Sequence, residues 1–303
     1  MSVAEEAKPA SGDDPAERLA GIGLMCLALL CFSCLDTTAK LLSRDFHTFQ
    51  IVFARYLGHL VVVAAIVSPA RSSLLWRTRQ PLLQFVRGLL LLGSTMCNFL
   101  ALQYLQLAET MSIFFSTPLL VAALAGPLLG EWIGPRRWAA VLFGFAGILV
   151  VTRPGLGGMH PAALFSVGAA LCYAFYAIVT RVLMSRGEGV LATQFYGALI
   201  GTLCVLPLVP GHWQSPHDDL SMALMLAMGA FGAIGHGLLT LAHRIAPAPV
   251  LSPFIYTQIV WMVSLGFLVF HDVPNPWTLV GAAIVISSGL YLLFRERRVK
   301  GEV

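Results

Sequence analysis

Charge is scarce in this sequence. Lysine, arginine, aspartate and glutamate make up 11% of its 303 residues, and only Lys8, Lys40 and Lys300 are lysines. Soluble domains carry about 25% charged residues, so a water-facing surface over a chain of this length is excluded. Long polar stretches are also lacking after the first 18 residues, which excludes an appended soluble domain and general disorder. The cysteines are few and lie in apolar runs without metal-ligand spacing: Cys26, Cys31, Cys34, Cys97, Cys172 and Cys204. A disulfide scaffold and a zinc module are therefore excluded. No glycine-rich phosphate loop ending in Gly-Lys-Ser/Thr occurs, so this chain alone cannot use ATP. No His-Glu-x-x-His and no Gly-x-Ser-x-Gly is present. The net charge of +4 has no basic cluster interleaved with aromatics, so no nucleic-acid partner is expected. No cofactor or metal is expected either.

What is present is apolar residues, at 57% of the chain and a mean hydropathy of +0.80. A helix needs about 20 residues to cross a bilayer core of about 30 Å. Ten apolar runs suit that length, near 19–42, 48–68, 85–103, 108–129, 137–152, 161–184, 190–209, 220–242, 247–270 and 277–294. Proline and glycine mark the breaks, as at Ser68-Pro69, Gly134-Pro135, Arg153-Pro154-Gly155, Pro210-Gly211 and Pro274-Asn275-Pro276. Residues 1–18 read as a disordered cytoplasmic tail. With the N-terminus inside, fifteen Lys and Arg fall on the cytoplasmic side and three outside, Lys40, Arg44 and Arg153. Such a bias predicts that both termini are cytoplasmic.

The chain also repeats itself. A shift of 141 residues lays Leu30-Cys31-Phe32 on Leu171-Cys172-Tyr173, Lys40 on Arg181, and Gly130-Glu131 on His271-Asp272. A shift of 140 lays Ser112–Thr117 on Ser252–Thr257. Each half holds five spans, an odd number, so the second copy enters the membrane from the opposite side. The expected fold is an all-α polytopic membrane protein with ten transmembrane helices as two inverted five-helix repeats. The expected divisions are 1–18 tail, 19–153 first repeat, 154–295 second repeat and 296–303 a cytoplasmic tail. Inverted repeats are a recurring design of secondary transporters.

Several stretches carry a family likeness: Ala101-Leu-Gln-Tyr-Leu-Gln-Leu-Ala, Thr117-Pro118, Leu129-Gly130-Glu131 and Gly147-Ile-Leu-Val-Val-Thr. In these the sequence resembles the drug/metabolite transporter superfamily, in its form with two tandem EamA repeats. The second half departs from the pattern, with His271-Asp272 for Gly-Glu. The resemblance implies a cavity lined by the third, fourth, eighth and ninth helices, with the fifth and tenth outermost. It also implies a solute as partner and a cell (inner) membrane location, with a homodimer left open.

Ionisable residues within a span are costly and are candidates for function. Asp36, Arg55 and His59 are three of these. Asp36 in the first helix and Arg55 in the second have similar expected depths, so they are expected to form a charge pair, structural or gating. His59 lies one turn from Arg55, as a hydrogen-bonded core histidine or a proton carrier. Lys40 and Arg181 read as interfacial snorkelling side chains. Pro118 and Pro253 either kink their helices or free a carbonyl toward a cavity. Asn98, Tyr173, Tyr176, Gln194, Tyr256, Gln258 and Trp261 are the substrate-binding candidates, together with Thr95, Tyr196 and His236 as lining. Such a number of polar groups within spans fits a wet cavity better than unrelated packing events.

The expected function is secondary active transport of a small polar organic metabolite by alternating access. An amino acid or a related zwitterionic or cationic solute is favoured. The alternative is an intramembrane enzyme acting on a lipid, which the few buried charges do not equip.

Overall fold

The computed structural model describes residues 15–66, 73–130, 134–153, 160–246 and 248–299. The described residues are helical, with no strand among them. Ten apolar helices run α1 (Pro15–Leu42), α2 (Thr48–Ile66), α3 (Pro81–Leu102), α4 (Leu107–Leu129), α5 (Pro135–Thr152), α6 (Ala163–Ser185), α7 (Val190–Leu208), α8 (Asp219–Ile245), α9 (Pro253–Phe270) and α10 (Pro276–Val299). The first nine are long and apolar enough to span a bilayer, and α10 has a shorter apolar part, Pro276–Leu292. Their starts have local causes. Pro81, Pro135 and Pro276 open α3, α5 and α10, where a missing N–H costs nothing. The Asp218 carboxylate caps α8 by accepting from the Ser221 N–H at 2.8 Å.

Some expected boundaries move. Helix α1 begins at Pro15, inside the segment read as a tail, whose residues 1–14 lie outside the described ones. Helix α10 runs on to Val299, past the boundary expected at 295. Glu131 lies outside the described residues.

The helices pair with two-fold logic. Helix α1 runs along α8, and its counterpart α6 runs along α3. Helices α2 and α7 meet each other, as do α5 and α10. The same relation reaches single residues. Ser288 Oγ donates to the Ala140 carbonyl, and Gly147 and Gly281 face each other's carbonyls. Moving 140 to 281 and 147 to 288 exchanges these two contacts. Gly130 and His271, matched by the 141-residue shift, end α4 and α9 in the same left-handed conformation. Their N–H groups donate to Gly126 and Phe267, again 141 apart. The chain is thus two inverted five-helix repeats.

Close packing here relies on small residues, since lipid gives no hydrophobic drive between helices. At the α2–α8 crossing, a Cβ on Gly229 would fall 2.3 Å from the Gly58 Cα. The ends of the helices sort onto two faces. At one, Gln50 exchanges two hydrogen bonds with the backbone of Gln214. At the other, the Glu188 carboxylate accepts from Thr78, the Arg79 N–H and Gln84. Burial pushes the Glu188 carboxyl up, but these hydrogen bonds together outweigh it and hold it below the usual carboxylate range.

Candidate functional site

Helices α4 and α9 are both irregular where they pass the middle of the fold. Helix α4 breaks after Phe114 and resumes at Thr117, while α9 opens with a 3-10 turn over Ser252–Thr257. The matched hydroxyls of Thr117 and Thr257 each turn back to the carbonyl three residues earlier, both at 2.7 Å. Pro118 and Pro253 supply no N–H at these breaks. Irregular backbone at membrane depth is tolerated where it is buried in protein or lines a cavity.

A cavity of about 220 Å³ lies there, between the repeats. Its polar wall includes Asp36, Arg55, Thr95, Asn98, Tyr173, His236 and Gln258, with the hydroxyls of Ser94, Thr110 and Thr117. Much of the rest is aromatic and aliphatic, including Phe32, Leu91, Phe114 and Met262. Helices α3 and α4 contribute heavily, as the family resemblance implied. Helix α1 contributes nearly as much, with Met25, Leu29, Phe32, Leu35 and Asp36, which the resemblance did not imply, while α8 and α9, which it did imply, supply two and three residues. Among the described residues, α5 and α10 contribute nothing.

The expected Asp36–Arg55 ion pair does not form. Asp36 Oδ1 accepts from Asn98 Nδ2 at 3.0 Å. Arg55 Nη1 donates to Thr95 Oγ1 at 2.9 Å, and its guanidinium lies 4.7 Å from the Tyr56 ring centre. Thr95 and Asn98 are three residues apart on α3, so they share a face and sit about 4.5 Å apart along its axis. They hold the acid and the base apart. Similar depth in antiparallel helices did bring both charges to one cavity, but depth does not decide which neighbour each side chain meets. Arg55 is 93% buried, with 7% exposure, and its Nε has no partner.

Asn98, Tyr173 and Gln258 face the cavity as expected. Tyr173 meets Phe114 edge-on at 5.1 Å. The other candidates lie elsewhere. The Tyr176 hydroxyl accepts from Arg87 Nη2 at 2.6 Å, and its ring lies beneath that guanidinium at 4.5 Å. Gln194 is half-buried on α7 away from the cavity. Tyr256 packs against Phe115 and Gly289, with its hydroxyl unpartnered. Trp261 joins a separate apolar cluster around Met25, Leu29 and Leu251, and its Nε1 is unpartnered. His59 is buried behind the wall, 5.7 Å from the ring of His236, which does reach the cavity. These residues do lie within spans, but a helix face cannot be chosen without its neighbours.

Two groups were assigned wrongly from sequence. Arg87 counted as a cytoplasmic loop charge, yet it is buried within α3 and donates to Thr180, the Thr193 carbonyl and Tyr176. The helix-opening Pro81 was the signal that would have put it inside a span. Lys40 does not simply snorkel. Its Nζ meets Asp272 Oδ2 at 2.9 Å and donates to the Leu105 carbonyl at 3.0 Å. It therefore ties the end of α1 to the α3–α4 and α9–α10 connections. Being four residues beyond Asp36, it stands about 6 Å further along α1.

Comparison with known proteins fits this architecture. Residues 19–153 and 160–295 each match the model of the EamA-like transporter family. The chain is 28% identical to an S-adenosylmethionine uptake transporter of Rickettsia conorii, covering 92% of this chain and 94% of that protein. It is 26% identical to a riboflavin transporter of Vibrio cholerae, covering 90% and 93%. Human solute carrier family 35 member G1 is 24% identical over 84% of this chain and 73% of its own. A crystal structure of a protein 18% identical superposes with a TM-score of 0.61 over 94% of this chain and 98% of that one, a likeness of fold.

Proposed function

The chain belongs to the EamA-like transporter family of the drug/metabolite transporter superfamily, and on that premise we propose that it moves a zwitterionic or cationic organic metabolite across the cytoplasmic membrane by alternating access. That it is a multi-pass membrane transporter of a small solute, and not an enzyme, follows from the family and the named relatives. The lipid-enzyme alternative is set aside on that ground.

The observation that carries the solute class is the cavity wall, which holds one acid and one base that do not neutralise each other. A strongly anionic solute such as a sugar phosphate would meet Asp36 without a surplus of positive charge. Phe32, Phe114 and Tyr173 offer aromatic faces, which hold cations and flat rings alike. Solutes of the kind carried by the relatives, S-adenosylmethionine above all, suit this wall, because that molecule joins an amino-acid end to a sulfonium and an adenine. Inverted repeats supply the mechanism: two similar halves exchange conformations and open the cavity to either face. The Lys40–Asp272 pair, which ties α1 to the α9–α10 connection, is the contact we assign to holding one end closed.

Orientation is supported by charge. With Arg87 assigned to a span, fourteen Lys and Arg against three still favour cytoplasmic termini. Helices α1–α5 and α6–α10 are taken as the two repeat units, with both chain ends on the cytoplasmic side. A second copy of the chain as a dimer partner stays part of this reading.

The test is counterflow in proteoliposomes loaded with unlabelled solute, using radiolabelled S-adenosylmethionine, methionine and riboflavin. Exchange of at least one solute, recovered chemically unchanged, is expected. No exchange across a broad metabolite panel would overturn the transporter mechanism, and an altered product would favour an enzyme.

A further inference from the structure

We propose that the cavity binds an α-amino-acid head in a fixed direction, with its carboxylate on Arg55 and its ammonium on Asp36. This rests on the cavity being the solute site, and it adds which chemical group each residue requires.

Arg55 is buried, and only one of its nitrogens, Nη1, has a side-chain partner, Thr95. Its Nε is buried without any partner. A guanidinium has five N–H donors in a planar fork that matches a carboxylate. Leaving such a donor unpaired in a buried site is costly, and an incoming carboxylate would satisfy it. Asp36 has the opposite need. Asn98 donates one hydrogen bond to Oδ1, and among the described residues no cation forms an ion pair with the carboxylate. An acid and a base this close in a low-dielectric cavity would ordinarily pair directly. Here Thr95 and Asn98 hold each on its own partner, about one helical turn apart along α3.

That offset fits an amino-acid head. Its ammonium and carboxylate are separated by one carbon, and each would reach its protein partner across a normal hydrogen-bond length of about 2.8 Å. Asp36 is bonded to Asn98 and lies toward the Lys40 end, while Arg55 is bonded to Thr95 one turn deeper. A solute arriving from the Lys40 end would therefore lead with its carboxylate, and one arriving from the opposite end with its ammonium. The remainder of the solute lies along Phe32, Phe114 and Tyr173, whose faces accept varied side groups. Specificity for the head would be strict and specificity for the rest loose.

The experiment is equilibrium binding to the purified full-length protein in detergent, by calorimetry. The probes are S-adenosylmethionine, its decarboxylated derivative, its deaminated derivative, and riboflavin. The parent protein should prefer S-adenosylmethionine to either derivative by tenfold or more, as loss of a charged hydrogen-bond partner implies. Arg55→Gln should erase the preference over the decarboxylated derivative and keep that over the deaminated one. Asp36→Asn should do the reverse. Each variant keeps one preference, so a general loss of fold cannot imitate the crossed pattern, and Arg55→Lys should recover part of the carboxylate preference. The proposal is overturned if the parent does not discriminate among the three charged probes or binds riboflavin alone. It is also overturned if it binds no zwitterionic probe, or if both variants weaken every probe alike. Counterflow separates this from the transporter reading. Crossed binding without transport refutes transport and leaves the site standing. Transport that ignores both substitutions refutes the site and leaves transport standing.

Discussion

Replacing Asp272 with Asn tests whether the Lys40 tie holds one end of the cavity closed. The side chains of the pair are 16% and 24% exposed, so it lies between two regimes. Exposed ion pairs contribute about 0.2–1 kcal/mol, whereas removing one partner of a buried pair costs about 3–5 kcal/mol. Lys40 keeps its bond to the Leu105 carbonyl in the variant, which limits the loss. A cost of about 2 kcal/mol to the closed arrangement is therefore expected, roughly thirtyfold in population at 1.4 kcal/mol per factor of ten. The assay places a single cysteine at Leu102, which lines the cavity near this end and is 2% exposed, in a background free of the six native cysteines. A membrane-impermeant thiol reagent added at the Lys40 face should label it at least ten times faster in Asp272→Asn than in the parent. Swapping the charges, Lys40→Asp with Asp272→Lys, should return much of the protection. Equal labelling rates in the parent and the neutralised variant, with the same melting temperature, would show that the ion pair does not hold this end shut.

Other outcomes follow from single contacts. Gly229→Ala forces a methyl into the Gly58 backbone and should lower stability by about 1–3 kcal/mol, whereas Gly23→Ala, inside α1 with open space around it, should not lower the thermal midpoint. Glu188 is held below its ordinary carboxyl value of 4.5, so its contribution is complete above that pH and is lost as pH falls through the lower folded value. Thermal melts should accordingly lose stability below about pH 4.5, and Glu188→Gln should show a shallower acid decline. A single cysteine at Ser215 should be labelled from outside the cell and not from the cytoplasm; labelling from the cytoplasm alone would reverse the orientation.

The repeat was legible because it rests on local backbone chemistry. Gly130 and His271 occupy the same left-handed helix end, and Thr117 and Thr257 make the same turn back to the chain, so matched sequence positions took matched conformations. The site was legible in part. Asp36, Arg55, Asn98, Tyr173 and Gln258 all reach the cavity, because a charge or amide within a span must find polar surroundings, and the cavity supplies them. Tyr256 and Trp261 were chosen by the same rule and lie outside it. Their rings satisfy themselves by apolar contact, which any buried face provides.

Hydropathy and its spacing by themselves determined that this chain crosses a membrane ten times, because a span needs only its own length of apolar residues and its own backbone hydrogen bonds. Charge counting and the five-span repeat added the inverted halves. Which polar groups pair was decided by tertiary structure alone. Arg55 went to Thr95, Asp36 to Asn98, Lys40 to Asp272 across 232 positions, and Arg87 to three groups on two other helices. Helical periodicity sets the depth of a side chain, whereas the rotation and packing of ten helices set its neighbour, and those depend on contacts such as Gly58 with Gly229 that no single segment contains.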